Sequence, residues 1–134
     1  MQDTLLKIVS NIKVNKDTFL MKLEGDLTAI KNYGEFVNIQ IPGYYLRRPI
    51  SVCDFSSSHL DLLYKILGHG TKDLSEYKEG EKLKVLVGLG NGFKIRTDIH
   101  PILIGGGIGI APLVGLARAY NALNIKPTLI YGAK

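Results

Sequence analysis

The patterning of this chain changes once, near Pro101, and that change restricts the possible folds more than any other feature. Before it, apolar residues recur at about every second position in short runs, and each run ends in turn chemistry. After it comes the apolar run Ile102-Leu103-Ile104, then Gly105-Gly106-Gly107-Ile108-Gly109, then residues at helical spacing. Period-two alternation belongs to strands with one buried face. A short all-apolar run is expected of a parallel strand buried on both faces. The two patterns together predict antiparallel β structure followed by a strand–helix–strand unit. With 134 residues the chain holds one domain, or one domain and part of another.

Within residues 5–13, Leu6, Ile8 and Ile12 form one apolar face. Asn15-Lys16-Asp17 is turn chemistry, and residues 18–23 read as a returning strand. After Glu24-Gly25-Asp26 the pattern is weak as far as Tyr33. Residues 34–41 form a clear strand ended by Pro42-Gly43, and residues 48–53 form another, broken by the polar stretch 54–58. Residues 59–67 are read as a strand; the run from Leu62 to Leu67 also fits a helix, but turns on both sides favour strand. Thr71 is the expected N-cap of a short helix that stops at Gly80, and residues 82–87 form the last strand of the series. The expected fold is therefore an all-β, six-stranded antiparallel barrel over residues 1–93. Residues 94–134 are expected to form the first β-α-β unit of an incomplete α/β nucleotide-binding domain. There Pro112 suits the first helical position, Leu113, Leu116, Ala117 and Tyr120 mark the helix, and Asn124 and Pro127 stop it. Thr128-Leu129-Ile130-Tyr131 is the expected second buried strand.

Composition excludes several classes. The apolar fraction of 46% and 15 glycines indicate a loop-rich globular chain. No apolar run reaches the roughly 18 residues that span a bilayer. Met1-Gln2-Asp3-Thr4 lacks the features of a signal peptide, so the expected location is the cytoplasm. Cys53 is the single cysteine, which rules out an internal disulfide and a multi-cysteine metal site within this chain. The net charge of +5 raises nucleic-acid binding, but the lysines are scattered and no basic run interleaves with aromatics, so none is expected.

Three segments carry chemistry. In Leu46-Arg47-Arg48-Pro49-Ile50-Ser51, Pro49 holds Arg48 extended, so the two arginines point to opposite sides. A guanidinium fork suits a diphosphate, and Ser51 offers a neutral hydrogen bond to a ring nitrogen or carbonyl. Taken alone, the segment reads better as an edge strand with a solvated arginine pair. The glycine turn after Ile104 combines bare backbone N–H groups with a helix N-terminus, which together favour a pyrophosphate. It departs from the standard dinucleotide fingerprint, because Ile110 and Pro112 occupy the possible third glycine positions. Gly68-His69-Gly70-Thr71 is a weaker phosphate cradle. No metal or acid–base role is expected of His59 or His100, and Cys53 reads as a small buried packing residue. No nucleophile–base pair or paired carboxylates stand out, so any catalysis is assigned to a cofactor.

Arg48-Pro49-Ile50-Ser51, Gly70-Thr71 and the run from Gly105 to Pro112, in that order, resemble the ferredoxin–NADP reductase superfamily. Tyr64-Lys65 ahead of the Gly-Thr pair and Leu89-Gly90-Asn91-Gly92-Phe93 narrow the resemblance to the electron-transfer subunits of bacterial dihydroorotate dehydrogenase. It runs from about Gly34 to the C-terminus. The resemblance implies a barrel that binds FAD and a following domain that binds NAD(H). It places Arg48 on the FAD pyrophosphate, Pro49, Ile50 and Ser51 along the flavin ring, and Leu63, Tyr64 and Lys65 along the ribityl and phosphate side. It further places Gly70 and Thr71 on phosphate, and Gly105, Gly106, Gly107, Gly109, Ala111 and Pro112 beside the nicotinamide nucleotide. The implied role is an electron-transfer subunit of pyrimidine biosynthesis, working between NAD(H) and a dihydroorotate dehydrogenase catalytic subunit in a hetero-oligomer. A reductase subunit of another complex and a non-catalytic binding module are the alternatives. The sequence departs from the family at Tyr33-Gly34-Glu35, where Pro-Gly-Gln is usual, and at Val87-Gly88-Leu89-Gly90, where Gly-Pro-Leu-Gly is usual. The family's four-cysteine loop for a 2Fe–2S cluster is absent, and Cys53 alone cannot replace it.

Overall fold

Strands β1 (Gln2–Lys13), β2 (Thr18–Glu24), β3 (Phe36–Gln40), β4 (Arg48–Phe55), β5 (His59–Lys65) and β6 (Lys82–Leu89) close into a barrel in the order β1-β2-β5-β4-β3-β6. Every pairing in it is antiparallel. Helix α1 (Gly68–Ser75) lies between β5 and β6. Strands β7 (Ile102–Gly106) and β8 (Thr128–Gly132) pair in parallel and flank helix α2 (Ala111–Ala122), which a short 3-10 turn at Gly107–Ile110 precedes. This computed structural model describes residues 1–132; residues 133–134, the end of the expected second unit, lie outside the described residues. The expected barrel and strand–helix–strand unit are both present. Among the described residues no helix is long and apolar enough to cross a membrane.

The barrel is filled from alternate positions of its strands: Leu6 and Ile8, Met21 and Leu23, Val37 and Ile39, Leu60 and Leu62, Val85 and Val87 are all fully buried. Each such side chain contributes about 1.5–3 kcal/mol by leaving water, which makes register the dominant constraint on these strands. Ile12 was expected on the same face as Leu6 and Ile8, yet it is 58% exposed. A register shift between Ile8 and Ser10 explains the difference, because one extra residue reverses the facing of all that follow. Asn11 turns inward in its place. Its Nδ2 donates to the carbonyls of Leu74 and Tyr77, both at 3.0 Å, and its Oδ1 accepts from the Tyr64 hydroxyl at 2.8 Å.

Helix α1 also differs from expectation. Its N-cap is Leu67, without a side-chain cap bond, and the helix is already under way at Thr71. The Thr71 hydroxyl instead reaches back, accepting from the Leu67 N–H at 2.6 Å and donating to the Leu67 carbonyl at 3.0 Å. The helix ends at Ser75 rather than near Gly80. Bonds from Glu76 N to Asp73 O and Tyr77 N to Leu74 O tighten the chain there, and Asn11 takes up the outgoing carbonyls.

In the second unit, Asn124 ends α2 in the left-handed conformation, φ 60°. The expectation of two strands buried on both faces is not met. Leu103 and Gly105 face α2 and are buried, whereas Ile102 and Ile104 are 59% and 71% exposed and β8 is exposed throughout. One helix covers one face of a sheet, and no described residue covers the other. The opposite holds for β4, where Val52, Cys53 and Asp54 are buried in succession because the barrel core lies on one side and α2 on the other.

Candidate nucleotide-binding cleft

Alternation along β4 and β5 prepares one wall of a cleft. Ile50 turns into the barrel, so Pro49 and Ser51 face out; Tyr64 turns in, so Leu63 and Lys65 face out. The glycine turn and the first residues of α2 supply the opposite wall. Between them lies a cavity of about 270 Å³, lined by Pro49, Ile50, Ser51, Leu63, Tyr64, Lys65, Leu67, Thr71, Ile108, Gly109, Ala111 and Pro112. Its apolar walls with a few polar groups are the usual chemistry of a small-molecule or cofactor site. Leu63, Lys65 and Ile108 also border a larger opening of about 980 Å³, walled by the β1–β2 turn (residues 14–18), Gly107, Ile110, Tyr131 and Gly132. Lys65 is held at that boundary by Asp17, 3.5 Å away.

The arginine segment and α1 meet beyond Thr71. The Arg48 guanidinium lies over Gly70 so closely that a Cβ on Gly70 would collide with Nε. Its Nη1 donates to the Leu46 carbonyl, and its Cζ stands 5.1 Å from the centroid of the Tyr44 ring. The guanidinium therefore lies beside the first turn of α1, whose N-cap makes no side-chain bond and whose first N–H groups carry the helix's positive end. Arg47 is engaged elsewhere: its two terminal nitrogens bind the Asp3 carboxylate at 3.1 and 3.2 Å, and Nη2 also reaches Gln40. That bond, first among the causes, holds the Asp3 carboxyl below its usual range.

The structure brings together most residues singled out in the sequence and redistributes the rest. Tyr64 belongs to the cleft wall, but its phenol is buried in the barrel, and burial pushes its pKa up to about 12. Gly105 and Gly106 end β7. The space a Gly105 side chain would need is taken by the Ile110 backbone and Leu113, so this glycine serves strand–helix packing. Gly107 faces the larger opening. Leu67, Ile108, Tyr44 and the β1–β2 turn were not singled out. Ile108 lay inside a motif already noticed, whereas nothing in the sequence distinguished Tyr44 from Tyr45. A 2Fe–2S cluster does not fit the residues present. Cys53 is buried, its thiol pushed up to about 11 by burial and by the charge of Asp61, and no group of three metal-binding side chains occurs among the described residues.

No protein-family model matches the chain. Among curated proteins it is similar to the dihydroorotate dehydrogenase B (NAD(+)) electron transfer subunit of Fusobacterium nucleatum subsp. nucleatum, 34% identical over 93% of this chain and 52% of the relative. The subunit of the same name from Streptococcus mutans serotype c is 37% identical over 95% of this chain and 52% of the relative. The chain thus spans about half the length of the curated relatives it matches. Among solved structures, an NADH-dependent reduced ferredoxin-NADP oxidoreductase studied for flavin-based electron bifurcation superposes with a TM-score of 0.86 at 29% identity, over 98% of this chain and 49% of the other. The ferredoxin reductase of carbazole 1,9a-dioxygenase gives a TM-score of 0.85 at 25% identity, over 99% and 44%.

Proposed function

We propose, from its likeness to the electron transfer subunits of dihydroorotate dehydrogenase B and its ferredoxin reductase-like fold, that this chain belongs to that family and holds FAD in the cleft between β4, β5 and the glycine turn. Its role is to relay electrons between NAD(H) and a dihydroorotate dehydrogenase catalytic subunit in the cytoplasm. The observation that carries this reading is convergence. Pro49, Ile50 and Ser51, then Leu63, Tyr64 and Lys65, then Thr71, then Gly109, Ala111 and Pro112, far apart in the chain, line a single cavity.

The cleft suits a flavin on physical grounds. Pro49 and Leu63 offer apolar surface to a flat ring, and the Ser51 hydroxyl stands on the same face as Pro49 for its polar edge. Arg48 and the N-terminus of α1 supply positive charge where a diphosphate would lie. A bound flavin would supply the redox chemistry, accepting and releasing electrons without a protein acid or base. The side chains bind, orient and exclude water. Gly107 and Gly109, at the N-terminal approach to α2, border the adjoining space proposed for the nicotinamide nucleotide. A reductase subunit serving another acceptor is the second reading, supported by the likeness to the NADH-dependent ferredoxin-NADP oxidoreductase.

Titration of the purified protein with FAD, followed by flavin fluorescence, tests the proposal. Saturable binding is expected. Arg48→Ala should weaken it about 10- to 150-fold, the equivalent of losing a charge-assisted bond of roughly 1.5–3 kcal/mol. A protein that takes up no FAD overturns the assignment.

A further inference from the structure

Arg48 differs from its neighbour in one respect that bears on how a ligand is held. Arg47 is neutralised by Asp3, whereas Arg48 makes no ion pair among the described residues. The nearest carboxylate on α1, Asp73, is taken up by another group: the Tyr44 hydroxyl donates to its Oδ2 at 2.7 Å. The Tyr44 ring in turn stands beside the Arg48 guanidinium, 5.1 Å from centroid to Cζ, within the range of a cation–π contact. The guanidinium also meets Gly70. The cation thus sits against both an aromatic ring and the backbone of α1.

We propose that Tyr44 is a positioning residue that presents Arg48 to the diphosphate of the ligand at the N-terminus of α1; this rests on the nucleotide-binding reading above. The ring is fixed at two points. Its backbone N–H donates to the Ile41 carbonyl at 3.2 Å, and its hydroxyl is tied to α1 through Asp73. Tyr44 also packs against the barrel core, so this seat inherits the rigidity of β3 and α1. The hydroxyl additionally engages the carboxylate that would otherwise attract Arg48 or repel an anion. The hydroxyl is protonated, and so a donor, at neutral pH, and the Asp73 hydrogen bond, first among several causes, raises its pKa further. Among the described residues one of the five guanidinium donors is spent, on the Leu46 carbonyl, which leaves the fork for two phosphate oxygens. The adjacent Tyr45 is 100% exposed and provides a matched control.

The test compares FAD, FMN and riboflavin, which share the ring but differ in phosphate, as ligands of the unaltered protein and of Tyr44→Leu, Tyr44→Phe and Tyr45→Leu, with thermal stability measured in parallel. Tyr44→Leu should weaken FAD and FMN at least fivefold while leaving riboflavin within twofold. Tyr44→Phe, which keeps the ring, should give a smaller loss in the same direction, and it decides the matter if Tyr44→Leu does not fold. Tyr45→Leu should change nothing. In an Arg48→Ala background, Tyr44→Leu should have no further effect on FAD, a result a merely structural role would not produce. Equal losses for riboflavin and FAD, or additive effects of the two substitutions, overturn the inference while leaving the flavin site standing. An unaltered protein that binds none of the three ligands overturns both.

Discussion

Gly115 of α2 sits directly against the ring of Tyr33. A Cβ at this position would come within 2.6 Å of Tyr33 Cδ1 and 2.7 Å of the Cys53 carbonyl oxygen, so helix and strand approach as closely as backbone allows. One turn further along α2, Arg118 pairs with Asp54, which also accepts from the Tyr33 hydroxyl at 3.2 Å and from the Phe55 N–H at 2.9 Å. Both anchors lie on β4 or beside it. The same strand carries Pro49 and Ser51, so the seating of α2 sets how far the glycine turn stands from the opposite wall of the cleft.

This contact reverses the usual effect of a glycine replacement. In a free helix Gly115→Ala should gain about 1 kcal/mol from propensity. Here the new methyl meets a ring and a backbone carbonyl, and overpacking of this kind costs typically about 1–3 kcal/mol. The expected result is a net loss of stability in urea unfolding. A more stable Gly115→Ala protein would show that α2 is not seated this way.

Gly70→Ala is expected to behave in the opposite sense. Gly70 lies inside α1, so alanine suits the backbone and the helix should hold or gain stability. The added methyl occupies the position of Arg48 Nε and forces the guanidinium out of its place. FAD affinity should fall about tenfold, roughly 1.4 kcal/mol, with no drop in melting temperature. Unchanged affinity would show that Arg48 can bind from elsewhere.

Reading the sequence succeeded where the signal is local and failed where two distant segments decide. Period two identified the six barrel strands because each buries one face against the same core, and the glycine run with Pro112 marked α2 because turn and helix start are adjacent in sequence. The Arg-Pro-Ile-Ser segment read alone favours an edge strand with a solvated arginine pair, and only its order with the other motifs pointed to a ligand. The facing of Ile12 was not legible, since a bulge is set by the partner strand and leaves the apolar pattern intact. Thr71 had the composition of a cap, but Gly68 allows the chain to turn earlier, with φ at 80°. Tyr44 went unnoticed because its meaning depends on Arg48 and Asp73 together, and no spacing rule links the three residues.

Asn11 shows what the bulge achieves. It places one side chain whose two amide hydrogens and carbonyl oxygen all meet buried or half-buried partners: Leu74 O, Tyr77 O and the Tyr64 hydroxyl. Asn11→Leu keeps the branched shape but adds bulk and leaves those groups unpaired. The expected destabilisation is about 2–4 kcal/mol, since each unsatisfied group costs roughly 1–3 kcal/mol where water reaches it poorly. Because Asn11 grips the C-terminal end of α1, hydrogen exchange at residues 74–77 should accelerate more than exchange in β3. A uniform increase across the barrel would instead indicate a general loss of packing.

The pairing of Asp3 with Arg47 carries a pH signature of definite sign. The Asp3 carboxyl is held below 3.8, by the Arg47 hydrogen bond first and by the charges of Arg47 and Lys84 as well. A carboxylate with a depressed folded-state pKa contributes stability that is fully present above the unfolded value and is lost as pH falls through the folded value. The contribution is therefore complete at neutral pH, starts to fall as pH drops into the ordinary carboxylate range and is lost as pH falls through the lower folded-state value. Asp3→Asn removes it at every pH. The stability difference between the unaltered protein and Asp3→Asn should accordingly be steady from pH 7 to pH 5 and shrink below pH 4. It should be small throughout, and smaller still in high salt, because both side chains are substantially exposed. Denaturant unfolding of the two proteins across this range checks the sign: a difference that stays constant, or grows on acidification, would show that Asp3 does not titrate against Arg47.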